Sequence, residues 1–277
     1  MPLVRSFWLG KKKGKEAWVK PVVEDRSVRF DVDHEPSGPA VDGTVGRSGA
    51  ECIVCNEPVK FDHIRSEAKA GRMGQQLMSM AAQGDRRRTY LAPNYAHEST
   101  APVPAPSDAP SSELPEKALG FRVQAYGMTR YADLFTNRQL VALTTFSNLV
   151  GEARTRAESE AHDAGLDPAQ SAAYADAVAT YLGLCSSKMA VFHSTLARWR
   201  PDADKSAPAF GRQAIPMVWD FAEVMPFAGA GGDWSGVVDG ACKALEKLRP
   251  AAQGSARQRD ARVPLADSPV WLSLIHI

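Results

Sequence analysis

The apolar positions of this chain change period part-way along it. Up to residue 62 they fall in short β-prone runs, "AWVKPVV" and "SVRFDVD", bounded by Pro, Asp and Gly clusters. The stretch "EPSGPAVDGTVGRSGA" that follows is turn and loop chemistry. Residues 66–83 predict a helix with Ser66 as its cap. Gly71 and Gly74 each weaken it by about 1 kcal/mol relative to Ala, and Gly84 ends it. Residues 93–117 are rich in Pro, Ser and Ala and nearly free of large apolar side chains. Such a segment buries too little surface to order itself, so it reads as a linker or long surface loop.

Beyond the linker the period is helical. Thr136 and Gln139 form a capping box that opens a helix with Leu140, Leu143, Phe146 and Val150 as its stripe, closed by Gly165. Asp167 before Pro168 starts the next helix. It carries a seam of Ala175, Val178, Leu182, Cys185, Met189, Phe192 and Leu196, alternating three and four apart. A shorter helix is expected at "PMVWDFAEVM", opened by Pro216. Another follows Asp233, with Trp234, Val238, Ala241, Leu245 and Leu248 on one face. Cys185 lies inside the seam and Cys242 borders the last face, so both read as core thiols. The expectation is an α+β chain: a β-rich segment over residues 1–92, the linker over 93–117 and a mainly helical module over 118–250.

Composition narrows the class. A chain of 277 residues that is 44% hydrophobic and 23% charged is globular in type. A net charge of +1 makes the whole chain no electrostatic attractor, so any site for a polyanion must be local. Four scattered cysteines suggest a reducing compartment, no apolar run reaches the length of a membrane span, and the N-terminal order of apolar then charged residues is wrong for a secretory signal. These features point to a cytoplasmic protein without a membrane partner.

The candidate chemistry is sparse. Cys52-x-x-Cys55 places two thiolates at the spacing of half a tetrahedral zinc site, and Asn56 and Pro58 suit the turn that such a pair needs. The alternative is two ordinary buried thiols. His34 and His63 are the nearest substitutes for the missing ligands. A redox role is disfavoured because the motif opens no helix. Two basic runs, Lys11, Lys12, Lys13 and Lys15 and then Arg86, Arg87 and Arg88, are either phosphate contacts or solvated loops. The aromatic-dense stretch 210–227 carries Arg212, Asp220 and Glu223, the two carboxylates spaced to share a helix face. The glycines of "AGAGGDW" follow no strand, so the dinucleotide fingerprint fails, and no metalloprotease, nucleophile-elbow or kinase motif is present.

Five stretches in order, "MPLVRSFWLGKKKGKEAWVKPVV", "GRMGQQLMSMAAQGDRRRTYLAP", "YGMTRYADLFTNRQLVALTTFSNLVGEAR", "AYADAVATYLGL" and "FGRQAIPMVWDFAEVMPF", resemble the central region of adenine-specific DNA methylases that carry a zinc-ribbon insertion. The resemblance implies a half zinc ribbon and helical module inserted in a Rossmann-like methyltransferase. Cys52 and Cys55 match the second zinc pair of that ribbon, whose first pair is expected just before the stretch beginning at Met1. Met225 departs from the Asn that the family places before Pro-Phe.

In that family the S-adenosylmethionine loop lies upstream of this region and the catalytic Asp-Pro-Pro-Tyr motif downstream, so neither has a counterpart here. Residues 251–271 read as the approach to the catalytic region, and Ser268-Pro269-Val270-Trp271 only superficially resembles its signature. The last six residues, 272–277, "LSLIHI", are what the end sequence of a transposon adapter encodes, and read as an adapter-derived tail. The implied parent methylates the N6 amine of adenine flipped out of DNA, with DNA and phage-defence proteins as partners. This chain is then expected to be inactive by itself, with zinc bound incompletely and S-adenosylmethionine used only by the parent. The alternative is a non-catalytic zinc-binding module for nucleic acid or protein.

Overall fold

Two β-branched runs joined by a two-residue turn make a hairpin wherever the turn accepts positive φ. Asp25 and Arg26 do so, at φ 47° and 67°, in the computed structural model, which describes residues 1–85, 88–116, 118, 120–210 and 214–248. They join β2 (Ala17–Glu24) to β3 (Ser27–Asp33), and β1 (Trp8–Gly10) completes an antiparallel sheet in the order β1-β2-β3. Val4, Phe7, Leu9, Ala17, Val19 and Phe30 make its core together with Tyr90.

Three smaller units follow. A hairpin of β4 (Gly49–Glu51) and β5 (Pro58–Lys60) runs directly into α1 (Phe61–Lys69). A second hairpin pairs β6 (Met80–Gln83) with β7 (Arg88–Leu91). The helix expected at 66–83 is therefore misplaced: α1 starts earlier and stops before Gly71, which sits at φ 71°. Residues 80–83, the end of the expected helix, are strand.

Residues 93–117 hold a six-residue helix, α2 (Tyr95–Thr100), with nothing buried. The segment is nonetheless fastened to the next helix. Arg138 donates to the carbonyl of Ala101 at 2.6 Å, Asn137 to that of Val103 at 3.0 Å, and Asn148 to Asp108 at 2.9 Å.

The helical half is built on α3 (Asn137–Asp163) and α4 (Pro168–Met189). Both expected caps are made. The Gln139 N–H donates to the Thr136 hydroxyl while Thr136 N–H donates to the Gln139 side chain, and Asp167 repeats this with Gln170. Gly165, at φ 98°, turns the chain between them. Ala175, Cys185 and Met189 of the seam are buried, as the spacing requires. The helix ends at Met189, so Phe192 and Leu196 leave the seam, and Leu196 joins a separate cluster with Leu114, Val123, Leu134 and Ile215.

Between α4 and α5 (Trp234–Lys247) lies a third hairpin, β8 (Arg198–Arg200) with β9 (Lys205–Ala207). The α5 start is as expected, capped by Asp233, but Cys242 is exposed rather than core because α5 buries no residue fully. The helix expected at "PMVWDFAEVM" does not form: residues 214–227 run without helix. The fold is thus α+β, with small antiparallel sheets. Among the described residues no helix is long and apolar enough to cross a membrane.

Candidate functional site

The cysteine pair sits at the tip of the β4–β5 hairpin. The Cys52 N–H donates to the carbonyl of Glu57 and the Asn56 N–H to that of Cys52, closing the turn. Asn56 takes the left-handed conformation at φ 59°, which Asn tolerates better than most residues. A Cβ on Gly49 would meet the Val59 carbonyl oxygen at 2.4 Å, so only glycine lets the two strands close this tightly.

The tip favours thiolate. The amides of Val54 and Cys55 are directed at the Cys52 sulfur and lower its pKa below the usual thiol value. The Cys55 thiol and the N-terminal amine add to this, against a smaller opposing effect of burial. Cys52 is half-buried and Cys55 exposed, so neither is an ordinary core thiol. A chelating turn with amides aimed at sulfur suits a soft divalent ion. Among the described residues, however, no third His, Cys, Asp or Glu joins the pair in a metal-holding cluster. His34 instead sits with its Nδ1 at 3.1 Å from the Glu16 carbonyl, and His63 lies on the exposed surface of α1.

The segment Pro2–Val4 runs beside this hairpin. The Thr44 hydroxyl donates to the Pro2 carbonyl at 2.9 Å, Val45 N–H to that of Val4 at 2.9 Å, and Val45 bridges to Ala50 of β4.

The basic residues converge elsewhere. Lys11 N–H donates to the Pro201 carbonyl at 2.9 Å, which joins the β1–β2 loop to the β8–β9 turn. Lys12 pairs with Asp204 at 2.8 Å. Arg88 donates to the Asp204 carbonyl and lies over the Trp199 ring at 5.6 Å. Tyr90 donates to Leu9 at 3.0 Å and to Asp204 at 3.1 Å; burial first, then the Asp204 charge, raises its pKa. The two runs that are 70 residues apart in sequence thus meet around one carboxylate. Lys11, Lys12, Lys13 and Lys15 are exposed. Arg86, Arg87 and Arg212 lie outside the described residues, as do 251–271 and 272–277, and with them Ser268–Trp271.

The sequence reading missed a third contributor, the hairpin "RWRPDADK". Arg198 and Arg200 share one face of β8, and Arg200 stands opposite Lys205. Trp199 points the other way and donates to Leu9 at 2.6 Å. The alternation Arg-Trp-Arg before a Pro-Asp turn was the available signal.

The carboxylates of the 210–227 stretch do not share a helix face. Asp220 accepts from the N–H groups of Arg5 and Ser6, each at 3.2 Å, and burial raises its pKa despite those bonds. Glu223 takes Arg138 bidentately at 2.7 and 3.0 Å and accepts from the Thr136 hydroxyl at 3.3 Å. Trp219 packs edge-on against Tyr126, with centroids 5.1 Å apart. The stretch is a strap tying the β-rich part to the foot of α3, and Met225 on it is exposed. Comparison with protein-family models, curated proteins and solved structures returns no match.

Proposed function

We propose that this chain is the zinc-knuckle and helical recognition portion of an S-adenosylmethionine-dependent DNA adenine-N6 methyltransferase, and that it carries no catalytic step itself. The observation that supports this most is the Cys52–Cys55 tip. Its amides stabilise thiolate, its turn holds the two sulfurs on one side of a short hairpin, and it offers two ligands where a structural site uses four. The run of Pro2–Val4 past Thr44 and Val45 gives the second support. A longer chain entering along that path arrives beside the hairpin, where the resemblance places the other cysteine pair.

Zinc in this role is structural: it would clamp the hairpin to the segment that supplies the remaining ligands. Cys52 and Cys55 are the residues that would hold it here. The S-adenosylmethionine loop and the Asp-Pro-Pro-Tyr motif belong to the parent.

The test is transfer of labelled methyl from S-adenosylmethionine to duplex DNA by the purified 277-residue chain. The expected result is no incorporation above a no-protein control. Stoichiometric methylation would refute the reading. One zinc per monomer with four ligands would favour a self-contained zinc-binding module instead.

A further inference from the structure

We infer that the tips of the β1–β2, β6–β7 and β8–β9 hairpins form one surface that follows the phosphate backbone of duplex DNA without reading its bases. The inference deepens the DNA-recognition role above and rests on it for the class of partner. The charge balance supplies the first ground. Four lysines of the β1–β2 loop, Arg88, Arg198, Arg200 and Lys205 make eight cations. Glu16, Asp85, Asp202 and Asp204 make four anions, so these tips carry +4 while the whole chain carries +1. The rest of the molecule is therefore net acidic, and the cations are concentrated at one place.

The anions present are also engaged. Asp204 is held by Lys12 and Tyr90, and Asp202 by Arg200. Among the described residues Lys11, Lys13, Lys15, Arg198 and Lys205 form no ion pair, and all five are exposed. A cavity of about 380 Å³ opens between the tips, but Asp85 and Asp204 help line it, so it repels a phosphate. The unpaired cations lie outside it, as contacts to an extended polyanion would.

The aromatic rings decide between duplex and single strand. Single-strand binders offer bare faces on which bases stack. Here Lys11 lies over Trp8 at 5.0 Å, while Trp199 has Arg88 over its ring and Tyr90 edge-on at 6.2 Å. The Trp8 and Trp199 rings already hold partners, and what faces outward is charge on loops, which positions a duplex but specifies no sequence.

The experiment is fluorescence anisotropy with a short labelled duplex across about 50 to 200 mM salt, comparing the parent chain with the triple variant Lys11→Gln, Lys13→Gln, Lys15→Gln. The parent is expected to bind with a log–log salt slope of about −4 to −5, one phosphate for each unpaired cation, and a scrambled duplex to bind equally. The triple variant should bind at least about tenfold more weakly, with a slope shallower by about 2.7. Its melting temperature should be unchanged, since none of the three lysines supports the core.

Four results would overturn the inference: no duplex binding by the parent, an unaltered slope in the variant, preference for single strands, or polyglutamate competing as well as DNA, which would make the surface a site for acidic protein. Methyl transfer and zinc content do not depend on these lysines. Failure here therefore removes the surface assignment, and failure there removes the methyltransferase reading.

Discussion

The α3–α4 hairpin and the hairpin-rich segment that carries Cys52 and the basic tips are stabilised in opposite ways. In α3–α4 the specifying interactions are local. Thr136 meets Gln139, Asp167 meets Gln170, and Gly165 makes the turn. In the β-rich part they span the chain: Trp199 donates to Leu9, Asp204 receives Lys12, and Asp220 receives the amides of Arg5 and Ser6. Chemistry that needs residues from several elements can arise only in the second kind of architecture, and both candidate sites lie there.

The contrast is most strongly tested by Phe7→Ala. Phe7 is fully buried in the β1–β2–β3 core, and its loss should cost about 3–5 kcal/mol. The tryptophan fluorescence transition in urea should move to lower denaturant by more than the helical signal at 222 nm. Coincident shifts would show that the two regions unfold as one unit.

Thr136→Ala comes next. It removes a cap and a contact to Glu223 together, and should cost about 1–2 kcal/mol in thermal or urea denaturation. Asp167→Ala removes only a cap, so its cost should be the smaller, about 1 kcal/mol.

Asp220→Asn sharpens the comparison through pH. The folded-state pKa of Asp220 is raised, so its contribution to stability is full below the ordinary aspartate range and is lost as pH rises through the folded value. The parent should therefore lose stability from this group between about pH 4 and neutrality, and the variant should show a flatter profile over that window. Urea midpoints at a series of pH values check this; an unchanged profile counts against the strap's role.

The smallest effect in energy is on reactivity. With its pKa lowered by the Val54 and Cys55 amides, Cys52 should be alkylated at lower pH than Cys185, whose pKa burial raises. Mass-resolved iodoacetamide labelling of the native protein measures the order directly.

This division also explains what the sequence made legible. Caps and a three-four period act over one or two turns, and α3, α4 and the start of α5 could be read from Thr136, Asp167 and Asp233. The strap could not. Apolar residues at helical spacing in "PMVWDFAEVM" suggested a helix, but Asp220 and Glu223 are each recruited by partners far away in sequence, and tertiary bonds override the local pattern. The same holds for α1, which begins at Phe61 because the β5 strand feeds straight into it, where Ser66 had suggested a cap. For the candidate sites, the Cys52–Cys55 spacing and the lysine run were visible. The convergence on Asp204, and with it the part played by Arg198, Arg200 and Lys205, required the fold.

The account's central claim is that Cys52 and Cys55 are two ligands of a four-ligand zinc site. Zinc content against oligomeric state, measured on the purified chain and on Cys52→Ser, tests it most directly. The account predicts that monomers hold zinc only weakly, that any tightly bound zinc appears at one ion per two chains, and that Cys52→Ser abolishes it. One tightly bound zinc per monomer, or zinc retained unchanged in Cys52→Ser, would contradict it.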